Sequence, residues 1–281
     1  MPLPEGNLAR AWKHLLPSRE GLRVGWYVSH YAVKRRILVS LLTYSFSLVE
    51  LLVVVSVIGI LAALLLPTLA RSKASAHRVV CVNNLRQLGL AAQMYWDDNG
   101  GNAFRYRGAS TNGGDNYWFG WLARGSEGAR TFDAAQGALY PYLQGRGVAI
   151  CPSLAYDSPQ FKGKATGAAY GYGYNLFLSA QPDHPPVNVS RIARSSDLAV
   201  FADAAQVNTF QPPASPDHPM LEEFYYVNTT EPTVHFRHER TANVVFRDGH
   251  VGRENPVSGS IDQRLPKERV GRLRPEILAV P

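Results

Sequence analysis

Several features that mark other classes of protein are scarce or missing from this sequence. Two cysteines among 281 residues are too few for a disulfide-rich scaffold, and they do not have the paired spacing of a strong zinc site. The chain has no internal repeat and no low-complexity segment. It also has no nucleophile elbow, phosphate loop or metalloprotease helix. We therefore expect a structural or binding protein and not an enzyme.

Basic residues outnumber acidic residues, but the excess is concentrated near the N-terminus. Residues 1–45 carry a net charge of +5, and the remainder of the chain carries +2. A nucleic-acid-binding protein typically concentrates basic residues on its folded domain. The nearly balanced charge after residue 45 therefore predicts no nucleic-acid partner.

Charge is almost absent from a run of 21 residues, Phe46 to Leu66, in which Glu50 is the single ionisable residue. About 20 apolar residues in a helix span the hydrocarbon of a bilayer, so the run predicts one membrane-spanning helix. The stronger basic cluster lies before the run, which places the N-terminus in the cytoplasm and exports the rest. A secretory signal peptide has a shorter apolar core than this one.

Glu50 is costly inside such a run, because transfer of a charged side chain into the membrane is unfavourable. Two interpretations are open from the residues alone. Either Glu50 lies near the interface, where it can reach water or take up a proton, or it has a cationic partner.

The helix is predicted to continue beyond the membrane over residues 67–99, despite the possible kink at Pro67. Apolar residues recur there at about 3.6-residue spacing, with basic residues between them, which indicates an amphipathic helix. These apolar positions are Leu69, Ala76, Val80, Leu88, Ala92 and Tyr95. The stretch DDNGG, Asp97 to Gly101, predicts the helix end.

Residues 100–281 are predicted to form an exported, β-rich globular domain. Strand patterns occur at 196–203 and 242–253, and Asp248-Gly249 within the second predicts a hairpin with a type I′ turn. The proline-rich stretch 206–232 favours ordered loop over regular structure. The predicted fold class is α+β, with the long helix packed on an antiparallel sheet.

The junction before the apolar run carries a specific motif. It reads SFSLVE, from Ser45 to Glu50, and leads directly into the apolar helix. This arrangement resembles the processing site and membrane helix of type IV pilins and type II secretion pseudopilins, with Ser45 where that family favours glycine. The resemblance implies a pilin-like fold, a leader over 1–45, cleavage by a prepilin peptidase between Ser45 and Phe46, and methylation of the new amine.

The same resemblance implies a partner for Glu50 and a place for the protein. In an assembled filament, Glu50 would face the N-terminal amine of Phe46 on an adjacent subunit. The implied partners are other pilin-like subunits, membrane lipid and an inner-membrane assembly platform. The globular domain would then lie in the periplasm or on the cell surface.

A second resemblance covers the region from Phe46 to Val251. It rests on a series of short motifs that occur in one order: CVNNLRQLGLAAQMYWDDN, LYPYL, CPS, YGYN and HERTANVVFRDGHV. The series is similar to a family of prepilin-type proteins characterised by a histidine, nine residues and Asp-Gly, here His238, Asp248 and Gly249. This resemblance implies architecture and processing, and no activity.

A cluster of ionisable residues raises the question of a structural metal ion. The candidate ligands are Asp203, His238, Asp248 and His250, near His235. Calcium prefers oxygen ligands, whereas a histidine-rich set suits a transition metal better. The alternative is that Asp248 caps the hairpin turn while His238 forms a hydrogen bond across the strands. No other cofactor is expected.

Cys81 and Cys151 both fall on the exported side of the predicted span. They form either one disulfide between the long helix and the globular domain or a pair of buried thiols.

An aromatic group, Tyr117, Trp118, Phe119 and Trp121, also has two interpretations. It either packs in the core or stacks on a sugar or nucleobase. The second interpretation supports an alternative function, in which a membrane-tethered domain binds a glycan or another envelope component without assembling.

Overall fold

The computed structural model describes residues 47–126, 128–165, 167, 170–180, 184–193 and 196–279. The leader 1–45 and the predicted cleavage residues Ser45 and Phe46 lie outside the described residues. The chain divides into two compact units, Met1–Val54 and Val55–Pro281. In the first unit, residues 47–54 are described, and they contain the start of a helix.

Helix α1 spans Leu48–Asp98 and continues through Pro67. Among the described residues, α1 is the one helix long and apolar enough to cross a membrane, and none of its most apolar stretch is buried. An apolar surface of this size is unfavourable in water, so it requires lipid or protein around it. The structure is thus compatible with the predicted single-pass anchor.

The second part of α1 buries side chains against the globular domain from Cys81 onward, and one turn earlier Nε of Arg78 donates to Oδ1 of Asn243 at 3.2 Å. The buried residues of α1 are Cys81, Asn84, Leu85, Leu88, Gly89, Ala91, Ala92 and Trp96. Two of the apolar positions predicted for the amphipathic face, Leu69 and Val80, are 66 % and 46 % exposed. The predicted positions Leu88 and Ala92 are buried, so the face that α1 buries against the domain is formed by residues from Cys81 onward.

Helix α1 ends at the glycine pair that the sequence marks. Gly100 and Gly101 both have positive φ, +64° and +82°. The N–H of Gly101 donates to the carbonyl of Trp96 at 2.7 Å, the six-to-one hydrogen bond of a Schellman motif. A residue with a Cβ atom adopts this left-handed backbone less easily, so the DDNGG stretch determines where the helix stops.

Fourteen short strands follow the helix within the described residues. They are β1 Arg107–Thr111, β2 Gly114–Tyr117, β3 Gly120–Ala123, β4 Phe132–Asp133, β5 Phe161–Lys162, β6 Tyr172–Asn175, β7 Ala199–Asp203, β8 Gln206–Asn208, β9 Met220–Glu222, β10 Tyr226–Val227, β11 Val234–His235, β12 Ala242–Phe246, β13 Val251–Glu254 and β14 Val270–Gly271. Short 3-10 helices occur at Ala134–Gln136, Pro141–Leu143, Leu176–Leu178, Val189–Arg191, Pro266–Glu268 and Pro275–Ile277. One long helix followed by sheets is an α+β architecture, as predicted.

The central sheet has the strand order β10-β6-β7-β12-β13. Most pairs are antiparallel, but β10 joins β6 in parallel, so the sheet is mixed and not purely antiparallel. Strands β7 and β12 are completely buried. Helix α1 packs closely on β12 at Gly89. A Cβ atom at this position would lie 2.8 Å from Cγ2 of Val245 in β12.

In the described part of the chain, three smaller sheets accompany the central one. Strands β1 to β4 form an antiparallel meander, β11 pairs with β14, and a third sheet has the order β5-β9-β8. Strands β8, β9 and β10 lie inside the stretch 206–232, which the sequence predicted as loop. That prediction was wrong because tertiary pairing stabilises strands of only two or three residues between the prolines.

The β12–β13 hairpin is present, but its turn differs from the predicted type I′. Gly249 has a φ of +88°, whereas Asp248 does not have a positive φ. The N–H of Gly249 donates to the carbonyl of Phe246, and the N–H of Phe246 donates to the carbonyl of His250, both at 2.9 Å. This is the pattern of a longer hairpin loop in which only the glycine is left-handed.

Candidate functional site

Glu50 and Ser47 form a reciprocal pair at the start of α1. The backbone N–H of Ser47 donates to Oε2 of Glu50 at 2.8 Å, and the N–H of Glu50 donates to Oγ of Ser47 at 3.2 Å. This is a capping box, which satisfies two donors that a helix start leaves unpaired. The spacing Ser-x-x-Glu was the sequence signal for it, and our sequence analysis did not use it. One role of Glu50 is therefore local.

A disulfide joins Cys81 of α1 to Cys151, at a sequence separation of 70. Next to it, the side-chain amide of Asn84 donates to the carbonyl of Ile150 and to the hydroxyl of Tyr172, each at 3.0 Å. All of these contacts lie on the buried side of the helix. Together they attach α1 covalently and by hydrogen bonds to the loop before Cys151 and to β6.

Asp203, at the end of β7, is the centre of a buried polar network. Its Oδ1 accepts from Nη2 of Arg237 at 2.8 Å, and its Oδ2 accepts from the N–H of Asn243 at 2.7 Å and its Nδ2 at 3.1 Å. Burial alone would raise the pKa of Asp203, but Arg237 and His238 hold that pKa below its ordinary value. Asp203 is therefore a paired carboxylate at neutral pH.

Arg237 connects this network to the disulfide. Its Nε lies 3.3 Å from Sγ of Cys151, and its Nη2 donates to the carbonyl of Gly171 at 2.5 Å. Its guanidinium also lies over the ring of Tyr172, 5.9 Å from the centroid. A planar guanidinium supplies several donors in a fixed geometry, so one side chain can organise contacts to several elements.

The two histidines of the network are both buried. Nε2 of His238 lies 3.4 Å from Oδ2 of Asp203 and 3.6 Å from Sγ of Cys151. Nδ1 of His235 lies 3.2 Å from Nη1 of Arg237. Burial and then the charge of Arg237 lower the pKa of His235 to about 3, so its ring is neutral and Nδ1 accepts from the arginine.

The structure does not bring the four predicted metal ligands together. Asp203 and His238 meet in the buried network, whereas Asp248 and His250 are exposed at the hairpin tip beyond the far end of β12. Nδ1 of His250 lies 2.6 Å from Oδ1 of Asp248, which also accepts from the N–H of His250 at 3.1 Å. The single four-residue ligand set was therefore wrong, and Asp248 organises the turn.

One other group of potential ligands lies close together in the described part of the chain. The ligand atoms of Cys81, Cys151 and His238 are within 4.8 Å of one another. However, the two sulfur atoms are bonded to each other, and a metal ion requires thiolates. In the disulfide-bonded state, Cys81 and Cys151 attach α1 to the globular domain.

Trp118 belongs to the core. Its side chain is 0 % exposed, its Nε1 donates to the carbonyl of Tyr225 at 2.8 Å, and its ring lies 4.9 Å from that of Phe201. A ring without accessible surface cannot stack on a sugar or a base. The interpretation of Trp118 as a ligand contact is therefore wrong, whereas Tyr117 and Trp121 of the same aromatic group are half-buried.

Two members of the network were missing from the sequence-based candidates. Arg237 lies directly before His238, and Asn243 lies five residues after it. Each belongs to a common residue type at an ordinary spacing, so no sequence pattern indicated either of them. Their roles arise because β7 and β12 are neighbours, which places Asp203 beside Asn243.

Comparison with known proteins does not add a relative to these observations. No family model, curated protein or solved structure matches this chain.

Proposed function

We propose that this protein is a pilin-like structural subunit, without enzymatic activity, that a prepilin peptidase processes between Ser45 and Phe46. The observation that carries this proposal is the unburied apolar stretch at the start of α1, which has Glu50 in its first turn. After release from the bilayer, such a surface is stable only when other apolar helices cover it. Filament assembly supplies that cover through copies of the same helix.

Glu50 has a second role in this proposal. A carboxylate among packed apolar helices is costly unless an opposite charge is near it. The N-terminal amine of Phe46 on an adjacent subunit would supply that charge and set the axial position of neighbouring subunits. Oε2 of Glu50 accepts from Ser47, and a carboxylate has further lone pairs for a second donor.

The proposed setting is the inner membrane, with the N-terminus in the cytoplasm and the globular domain in the periplasm or on the cell surface. The partners are the prepilin peptidase, membrane lipid, other pilin-like subunits and their assembly platform. The disulfide at Cys81 suits an oxidising compartment, which supports export of the domain.

The first test is the mature N-terminus of the protein purified from its native membrane. Intact mass and terminal peptide mapping are expected to give a chain that begins at Phe46, with or without a methyl group on its amine. A chain that begins near Arg71 would indicate ordinary secretion, and one that retains residues 1–45 would indicate a static anchor. Either of these results would contradict the proposal.

The second test separates the two roles of Glu50. Glu50→Gln keeps an oxygen that can accept from Ser47 but removes the charge, so we expect normal membrane insertion and loss of assembly. Ser47→Ala removes half of the capping box and keeps the charge, so assembly should persist. The measurement is the amount of cross-linked, sedimentable subunit relative to the membrane-bound pool. Assembly of Glu50→Gln at the wild-type level would refute the charge pairing.

A further inference from the structure

The three-stranded sheet β5-β9-β8 carries a buried polar row that the proposed function does not use. Lys162 on β5 is directly opposite Glu222 on β9, and Glu222 is directly opposite Gln206 on β8. Asn208 is two residues further along β8 and shares a face with Gln206. Lys162 is 4 % exposed, and Glu222 and Asn208 are 0 % exposed, so these three side chains are shielded from water, whereas Gln206 is half-buried.

Glu222 bridges an amine and a carboxamide. Its Oε1 accepts from Nζ of Lys162 at 3.1 Å, and Nζ of Lys164 lies 3.0 Å from the same oxygen. Its Oε2 accepts from Nδ2 of Asn208 at 2.8 Å and from Nε2 of Gln206 at 2.6 Å. A single carboxylate in this position can take protons from an amine and give them to an amide nitrogen.

The carbonyl oxygen of Asn208 is also polarised. Its Oδ1 accepts from the backbone N–H groups of Phe210 at 3.0 Å and Gln211 at 3.1 Å. Two backbone donors directed at a carbonyl oxygen stabilise the negative charge that forms there when a nucleophile adds to the carbon. The row thus contains a nucleophile, a proton carrier and an oxyanion site around one carboxamide.

We propose that Lys162 and Asn208 are joined by an intramolecular amide bond, formed after folding and promoted by Glu222. The Lys162 ammonium gives one proton to Glu222, and the Nζ lone pair then adds to Cγ of Asn208. Glu222 passes two protons in turn from Nζ to Nδ2, the Cγ–Nδ2 bond breaks, and Nδ2 leaves with its electron pair as ammonium. Glu222 is regenerated, and no oxidant, reductant or co-reactant is consumed.

The geometry selects Lys162 and Asn208 from two possible amines and two possible carboxamides. Lys164 is also held over the rings of Phe224 and Tyr225, at 5.4 and 5.5 Å from their centroids, and these cation–π contacts hold its ammonium group against the rings. For Gln206, the described residues do not provide a pair of backbone donors like those at Asn208. The bond would connect β5 to β8 across β9, whether or not the subunit assembles.

The test is mass spectrometry of the full chain, denatured and reduced. We expect the intact mass to be lower than the sequence mass by one ammonia, after allowance for N-terminal processing. Tandem analysis of a digest should then give a branched peptide in which Lys162 is joined to Asn208. Linear peptides that carry unmodified Lys162 and Asn208, with no loss of ammonia, would overturn the proposal.

Matched variants assign the roles. Lys164→Arg should keep the branched peptide, whereas Lys162→Arg should abolish it. Glu222→Gln keeps the side-chain shape but removes the proton carrier, so the branched peptide should be lost while the chain stays linear. A branch at Lys164 or at Gln206 would overturn the assignment. If a variant does not fold, the wild-type mass alone still decides whether the bond exists.

Discussion

At the scale of single residues, the two aspartates among the candidate metal ligands have opposite environments. Asp203 is buried and accepts from Arg237 and Asn243, whereas Asp248 is exposed and accepts from His250 at the hairpin tip. Removal of one partner from a buried ion pair leaves the other charge uncompensated, but removal of an exposed charge changes little. The two positions should therefore differ strongly in their effect on stability.

We predict that Asp203→Ala lowers the free energy of unfolding by roughly 3 to 5 kcal/mol, because Arg237 loses its carboxylate partner in the core. Asp248→Ala should change it by less than about 1 kcal/mol, because its contacts are local and solvated. Urea denaturation of the full chain in detergent, followed by tryptophan fluorescence, measures both. Similar midpoints for the two variants would contradict the assignment of Asp203 as the centre of the network.

At the scale of elements, α1 has two parts with different environments. The first part exposes apolar side chains, and the second part packs closely on β12. A glycine lies in each part. A Cβ atom at Gly89 would meet Val245 at 2.8 Å, whereas nothing lies within 4 Å of a Cβ atom at Gly59.

We predict that Gly89→Ala destabilises the folded domain by about 1 kcal/mol or more. Overpacking a core typically costs about 1 to 3 kcal/mol, and the higher helix propensity of alanine offsets only part of that cost. Gly59→Ala is the matched control on the same helix and should leave the unfolding midpoint unchanged. Equal midpoints for the two variants would mean that α1 does not approach β12 as closely as described.

The disulfide also connects α1 to the globular domain. In the chain-entropy model, a cross-link that closes a loop of 70 residues stabilises a protein by about 4 kcal/mol. We therefore expect the double variant Cys81→Ala, Cys151→Ala to unfold at a clearly lower urea concentration than the wild type. A reducing agent should lower the midpoint of the wild type towards that of the double variant and should not change the double variant.

At the scale of the whole molecule, stability should depend on pH through Glu223. Burial raises the pKa of Glu223 to about 7 from an ordinary value of 4.5. Between these values the folded chain retains a proton that the unfolded chain has lost. The contribution of Glu223 to the free energy of unfolding is therefore fully present below about pH 4.5. It falls by roughly 3 kcal/mol as pH rises to about 7.

Glu223→Gln tests this dependence, because glutamine cannot ionise and can still accept from the N–H of Lys164, which lies 3.1 Å from Oε1 of Glu223. The variant should gain stability relative to the wild type as pH rises from 4.5 to 7. Other groups have opposing effects, since the low pKa of His235 weakens the fold in acid, but the difference between wild type and variant isolates Glu223. A constant difference across this range would refute the prediction.

Much of the architecture follows from local sequence. The apolar run predicts the exposed start of α1 because about 20 apolar residues in one helix match the thickness of the hydrocarbon core of a bilayer. The glycines at 100 and 101 mark the helix end because they tolerate positive φ. The strand patterns around Ala199 and Ala242 predict β7 and β12 because their apolar runs are β-compatible. Each of these signals depends on neighbours in the chain.

The sequence alone also determined the proposed processing site, since SFSLVE and the following helix are contiguous residues. Only the tertiary structure decided which buried groups meet. Asp203, Arg237 and Cys151 come from three separate stretches, as do Lys162, Glu222 and Asn208. Their contacts depend on strand order and register, and a shift of one residue would turn each side chain to the opposite face of its sheet. Spacing along the chain does not encode that choice, because it results from packing across the whole domain.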